Sequence, residues 1–532
     1  MTHVTPIASI PGLWRIEVDT CGYLLVRNGR SLLIDCPAKE LSKELIAKSL
    51  PFPEIVLHTQ VQEEHTREWA AFTAAKVYVV DNCFDIATLN DEYRVASNTR
   101  WPLSREWESR AEETYGIAGC VTERPPLQPL NVAGRLVPGD SFTWEGITLE
   151  IHALPGSGKR AIGIYWREAG ALFSGDLIHA GGYLVNFYDL ERGYGLTTGH
   201  QQLQDSLELA LNLNPNLLLP STGPVIEQPG ADIAALTKRL SWIKKPPSQP
   251  GIAPATVVRE FGRYKEIMPG IYQNNNMGNI ILYVTPAGQG LLIDPDPCVW
   301  LDWDATVKEV HADFDLLELE TGLKCIELAL ITHYHGDHCE FSDLLRQRYG
   351  TQICATPDVA AVLEDPYSYP YPCTFEWYDL SFDHVDVDRK LPYEESFCWR
   401  GISITPIHTP GHCFAHSGFL IPWNGILTAC TGDTVQYSGG DIFCDLPISY
   451  NDTAWPDFGF AVTFHRLLQA KPTLILGGHS NYFFDPDQAI LRTMLTVYKE
   501  TESLAAQLVP SGDLRKYMTP PGFDALRPAQ TI

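Results

Sequence analysis

Short apolar runs alternate along this chain with polar, glycine-containing loops and with stretches of helical spacing. Residues Gly290 to Ile293, Ile326 to Thr332, Ile402 to Ile407 and Thr473 to Leu476 read as buried strands. Apolar residues recur three and four apart at Phe341, Leu344, Leu345 and Tyr349, and again at Phe460, Phe464, Leu467 and Leu468. That spacing predicts helices, and a further helix is expected over roughly 229–243. Strands interleaved with helices predict an α/β class in which sheets are covered by helices.

The same pattern is written twice. Pro11-Gly12-Leu13-Trp14 matches Pro269-Gly270-Ile271-Tyr272, and Leu32-Leu33-Ile34-Asp35 matches Leu291-Leu292-Ile293-Asp294. Further on, Pro155-Gly156 matches Pro410-Gly411, Phe173-Ser174-Gly175-Asp176 matches Cys430-Thr431-Gly432-Asp433, and Leu217 to Pro220 matches Leu474 to Gly477. Five matches in one order, all offset by about 257 residues, predict a duplicated domain. Lys244 to Gly251 is punctuated by Pro and Gly and lacks an apolar period. The expected organisation is therefore a first copy over 1–245, a linker over 246–258 and a second copy over 259–532.

Composition changes the picture only by exclusion. With 45% hydrophobic and 20% charged residues the 532-residue chain is an ordinary globular one. Its formal charge of −26 repels phosphate backbones and anionic membranes, so neither nucleic acid nor a membrane surface is expected as a partner. No transmembrane run and no basic-then-apolar leader is read. The 13 cysteines are scattered without a CxxC pair, which fits reduced thiols and a cytoplasmic location.

The second copy concentrates the chemistry. Residues 330–339 read Leu-Ile-Thr-His-Tyr-His-Gly-Asp-His-Cys, an apolar strand running into His333, His335, Asp337 and His338. Alternation in extended chain places His333 and His335 on one side. A turn at Gly336 is expected to redirect Asp337 and His338 toward a second ion, with a helix starting near Glu340. Three further strand ends add His412 (in Thr-Pro-Gly-His), Asp433 (in Thr-Gly-Asp) and His479 (in Gly-Gly-His). Imidazole and carboxylate together suit zinc, with iron or manganese as alternatives. His408 and His416 beside His412 are read as packing or supporting residues. His311, His384 and His465 are read as ordinary histidines.

This ordered set, with Asp294 ending a strand ahead of it, resembles the metallo-β-lactamase superfamily, and the resemblance spans nearly all of residues 255–500. It implies an αββα sandwich with two divalent metal ions at its edge. It places His333, His335 and His412 on one ion, Asp337, His338 and His479 on the other, and Asp433 between them, with Asp294 and its counterpart Asp35 as structural residues. Bridging Asp433 together with His335 is similar to the glyoxalase II, lactonase, ribonuclease Z and phosphodiesterase branches. It is less like true β-lactamases, and it departs from the flavodiiron pattern, where Glu replaces the second His.

In the first copy the block reads Thr59-Gln60-Val61-Gln62-Glu63-Glu64-His65. Gln60, Gln62, Ser157 and Thr222 stand where the second copy has His333, His335, His412 and His479. Neutral amides and hydroxyls are poor zinc ligands. That copy is expected to be a non-catalytic scaffold, with Glu64, His65 and Asp176 as a possible remnant of one metal site.

A metal lowers the pKa of bound water from about 15.7 to about 7. The expected activity is hydrolysis of a small-molecule ester, thioester or lactone by hydroxide so generated, with Asp337 both ligand and orienting carboxylate. A phosphodiesterase using the same site, and a di-iron oxidoreductase on the same fold, are the alternatives. The aromatic stretch 363–379 is either a lid over the site or a packed loop.

Overall fold

The computed structural model describes residues 2–83, 87, 129–185, 198–250, 257–299, 303–366, 384–443 and 459–514, apart from 19, 39, 157–159, 414, 436, 439 and 440. Two compact units divide these residues. One runs up to Lys245 and includes the stretch from Leu504; the other runs from Pro246 to Ser503.

The second unit is built on two mixed sheets. The larger orders eight strands from Arg259–Phe261 to Arg389–Lys390, and the smaller orders six from Phe397–Trp399 to Tyr482–Phe484. Strand Gln289–Ile293 shows why they pack face to face. Side chains of successive strand residues point to opposite faces. Leu291 and Ile293 accordingly enter the core between the sheets, with Phe419, Ile421, Leu474 and Leu476 of the smaller sheet. Leu292 faces the other way, into a core with Val310, Phe314 and Leu317 of helix Trp303–Thr321 and Leu345 of helix Ser342–Tyr349. Beyond the smaller sheet, Phe464 and Leu467 of helix Phe460–Ala470 and Met494 and Val497 of helix Ala489–Ala506 pack on Ala429, Ile475 and Phe483. The order of layers is helix, sheet, sheet, helix. The Tyr283 hydroxyl makes a polar tie across the apolar centre, 2.6 Å from the Thr428 hydroxyl and 3.3 Å from Cys430 Sγ.

The first unit repeats the plan with a seven-stranded and a five-stranded sheet. Strand Arg30–Ile34 runs parallel to Ile55–Leu57 just as Gln289–Ile293 runs parallel to Cys325–Leu330. The helix expected over 229–243 spans Pro229–Leu240.

Three local expectations are corrected. Ser248–Pro250 is a strand, antiparallel to Asp441–Phe443 of the second unit, although it sits in the stretch read as linker. At the edge of a sheet a proline costs no ladder bond, so the sequence there carries no strand signal. The stretch from Leu504 joins the first unit, where Leu508 and Val509 are buried and the Leu508 carbonyl accepts from the Leu184 amide. Gly336 does not make a turn; it opens a short helix, Gly336–Cys339, that carries Asp337 and His338.

Candidate metal centre

Each candidate ligand sits where an element of the second unit ends. Strand Cys325–Leu330 stops three residues before His333, and His335 caps the short helix in extended conformation (φ −64°, ψ 143°). His412 follows strand Ile402–His408, Asp433 lies in a helical turn after Ile426–Cys430, and His479 follows Leu474–Leu476.

The fold brings all seven together. His333, His335 and His412 offer nitrogens that converge on one point. Asp337, His338 and His479 converge on another, and Asp433 closes a third group with His333 and His338. Among the described residues, convergent groups of this kind occur only in this unit. Asp433 stands between the two sets: Oδ1 is 3.4 Å from His338 Nε2, while Oδ2 is 3.6 Å from His412 Nε2 and 2.9 Å from His479 Nε2. The rings of His333 and His335 lie 4.5 Å apart, as their shared side requires.

Glycines make room at the centre. A Cβ on Gly478 would lie 2.1 Å from Asp433 Oδ1. A Cβ on Gly432, whose φ is +45°, would lie 2.6 Å from Thr332 Oγ1 and 2.9 Å from His416 Nε2. His479 and Ser480 both hold left-handed backbone, φ 52° and 65°, a strain of roughly 1–3 kcal/mol each that neighbouring contacts must offset.

Supporting residues fix the rings. Asp294, left-handed at φ 52° just past its strand, accepts from the Thr332 amide (2.7 Å) and hydroxyl (2.7 Å) and faces His338 Nδ1 at 2.9 Å. That leaves His338 Nε2 aimed into the centre. His416 stacks on His333 at 4.6 Å, pairs with it through the backbone, and has Nδ1 2.9 Å from the Thr409 hydroxyl. His408 packs 5.1 Å from Tyr393. His311, His384 and His465 lie away from this set on exposed positions, beside Arg348, Asp386 and the Ala461 carbonyl.

Electrostatics treats the two sets of histidines in opposite ways. Burial, reinforced by the neighbouring histidines, drives His333 and His335 well below the usual imidazole range; burial, opposed by Asp433, takes His412 down to about 4. All three are therefore neutral near pH 7, with lone pairs to give. Burial acts the same way on His338 and His479, but the carboxylates outweigh it: His338 is raised well above its usual value and His479 to about 9, both with Asp433 as the leading charge.

The donor set fits metal ions on one decisive observation. His333 Nε2, His335 Nε2 and Asp337 Oδ1 are buried without a hydrogen-bond partner, and His338 Nε2 and Asp433 Oδ1, also without one, face each other at 3.4 Å. A buried polar atom costs about 1–3 kcal/mol when nothing meets it, so the unmet atoms of these groups point to cations as their partners.

The first unit has the same frame with two of the counterpart donors, His65 and Asp176, and with Gln60 where the second unit has His333. Asp35, at φ 56°, accepts from the Thr59 amide (2.9 Å) and hydroxyl (2.7 Å) and lies 3.3 Å from His65 Nδ1. His65 Nε2 is 3.2 Å from Asp176 Oδ2, and the amide nitrogen of Gln60 reaches both. Ser221 Oγ donates to Asp176 Oδ1. Burial opposes charge on His65, yet Asp176 and Asp35 hold it well above its usual value. Ser157 and the Glu64 side chain, like most of segment 363–379, lie outside the described residues.

Some residues of the centre carry no motif. Asn279 is buried between the loops of Asp337 and His479. Asp296 and Glu340 stand near Asp337, raised to about 7 and about 8 by burial and by neighbouring carboxylates. A signal for Asn279 lies in the repeat, since strand pairing places Cys21 at its position in the first unit.

Comparison with solved structures finds metallo-beta-lactamases. One from Cronobacter sakazakii, a HARLDQ motif mutant, is 19% identical and covers 46% of this chain and 98% of its own, at a TM-score of 0.35. The subclass B3 metallo-beta-lactamase BJP-1 of Bradyrhizobium japonicum is 20% identical and covers 49% and 97%, also at 0.35. No curated protein matches. The family model for the metallo-beta-lactamase superfamily matches residues 83–222 and 275–438, over half of the chain and once in each copy, and the chain belongs to that superfamily.

Proposed function

We propose that the second unit is a binuclear metal-dependent hydrolase acting on a small-molecule ester, thioester or lactone, and that the first unit is its non-catalytic companion. The superfamily consists generally of metal-dependent hydrolases. The observation that carries the reading is the convergence of buried donor atoms, with His333 Nε2, His335 Nε2 and Asp337 Oδ1 lacking any hydrogen-bond partner. His333, His335 and His412 would hold one ion, Asp337, His338 and His479 the other, with Asp433 shared. Two divalent ions, zinc foremost, supply Lewis acidity and bring a water's pKa to about 7.

The protein's own part is orientation. Asp294 fixes the ring of His338, and the backbone carbonyl of Met277, 3.1 Å from His479 Nδ1, does the same for His479. His333, His335, His338, His412 and Asp433 are buried, whereas His479 and Asp337 keep 27% and 15% of their side chains exposed. Substrate therefore approaches over that pair. Asp337 offers two carboxylate oxygens at the exposed side of the centre, so one can hold the ion while the other orients an attacking water.

Metal analysis of the purified chain tests the reading, with about two transition-metal ions per chain expected. Rates on a thioester, a lactone and bis-p-nitrophenyl phosphate, measured side by side, separate the substrate classes. A chain that binds neither zinc, iron nor manganese refutes it.

A further inference from the structure

Two of the three residues proposed for the second ion, Asp337 on a short helix and His479 on a loop, come from segments far apart in sequence, and one side chain spans them. The Asn279 amide nitrogen donates to the Asp337 carbonyl at 2.8 Å, and its amide oxygen accepts from the His479 backbone N–H at 2.6 Å. The contacts bridge 58 and 200 residues of sequence. Asn279 is itself fixed, being 2% exposed and donating its backbone N–H to the Asp296 carbonyl at 2.7 Å.

The loop it grips needs gripping. His479 and Ser480 are both left-handed without being glycine. Lys265 Nζ donates to the Ser480 carbonyl at 2.8 Å, and Gln273 Nε2 to the carbonyls of Gly477 and Asn481, but neither touches the helix of Asp337. Only Asn279, among these, joins the two ligand-bearing segments. The first unit supplies an internal comparison. Tyr23 pairs with Ile34 and Ile281 with Ile293, so Cys21 occupies the place of Asn279. There the thiol contacts Arg15 and the Gly223 carbonyl instead. The carboxamide is absent from the unit that also lacks the counterparts of His333, His335 and His479.

We propose that Asn279 is a positioning residue for the second ion: its carboxamide sets the spacing of Asp337 and His479, and through it the affinity of that ion alone. The inference rests on the binuclear reading above. A group supporting metal ligands from behind typically changes affinity 10–100-fold when removed.

The test is a zinc titration of the metal-free full chain against a competing chromogenic chelator. The parent is expected to take up two ions in separable steps, assigned by His412→Ala and His479→Ala, each of which removes one. Asn279→Ala should weaken the step missing in His479→Ala by about 10–100-fold and leave the step missing in His412→Ala unchanged. Asn279→Ser, the oxygen analogue of the residue in the first unit, should behave alike and guards against a folding failure. Melting of the metal-free chains should be close to parental. Two parental steps in either variant overturn the assignment. So does an equal loss of both steps with a lowered metal-free Tm, which marks a merely structural residue. A parent chain that takes up no zinc overturns the binuclear reading itself, and this inference with it.

Discussion

A single methyl group placed at residue 478 tests the geometry of the centre without altering any ligand. Gly478 does not hold a left-handed backbone, so alanine brings no conformational strain of its own. Its Cβ would instead lie 2.1 Å from Asp433 Oδ1, 3.0 Å from Asn279 Oδ1 and 3.2 Å from His338 Cε1. Contacts under 3.0 Å are essentially never tolerated, so the Asp433 carboxylate must retreat by at least about 0.9 Å or the loop must move as far. Ligand constellations work within about 0.5 Å of their productive geometry. Overpacking of this kind costs about 1–3 kcal/mol of stability. A misplacement of about 1 Å costs on the order of 100-fold in rate. Gly478→Ala is thus expected to fold, with a metal-free Tm lowered by a few degrees, to hold less than two ions per chain, and to lose about 100-fold in kcat/KM. Equilibrium dialysis followed by elemental analysis reads the first quantity, calorimetry the second and initial rates the third. Full metal content and parental kcat/KM in Gly478→Ala would show that Asp433 lies elsewhere in the working protein, and would refute the geometry argued above.

His335→Ala and Asp337→Ala are expected to abolish hydrolysis while the chain stays folded, whereas Gln62→Ala keeps the parental rate; a matching loss in Gln62→Ala would make the first unit part of the active site. Gln62 is buried with both amide atoms unpartnered, so Gln62→Met should be neutral or raise stability by up to about 1–2 kcal/mol in a denaturant melt. The first unit should also carry a pH signature. His65 is raised above its unfolded value near 6.5, so its stabilisation is whole below that pH and fades as pH climbs through the folded value. Asp35 is depressed, burial being overcome by His65 and His58, so its share is whole above about 4 and lost on further acidification. The gap in melting temperature between the parent and His65→Gln should therefore narrow steadily as pH rises above 6.5; a constant gap would mean that His65 is neutral.

Much of the centre was legible because metal chemistry restricts residue type. His333, His335, Asp337, His338, His412, Asp433 and His479 are the groups that bind hard and borderline cations, and each follows an apolar run that had to be a strand. The repeat was legible for the same reason, since a sandwich strand must be apolar on both faces wherever both are covered, and Leu32 to Ile34 and Leu291 to Ile293 are. The absence of a donor set in the first unit could be read directly from Gln60, Gln62 and Thr222. Asn279 was missed: the asparagine run Asn274 to Asn276 just ahead of it masks it, and its counterpart Cys21 is identified only once the strands are paired.

What the sequence determined alone is therefore local. The identity of each candidate ligand, the strand that leads to it, and the duplication that repeats the elements all lie in it. What only the tertiary structure decided is convergence. The placing of Asp433 between the two sets, the left-handed turn at His479, the helix opened by Gly336 and the return of Leu504 onward to the first unit all depend on contacts between distant segments. Hydrogen bonds such as Asn279 to His479 span 200 residues, and chain periodicity records only which face of an element is apolar, not which element it will meet.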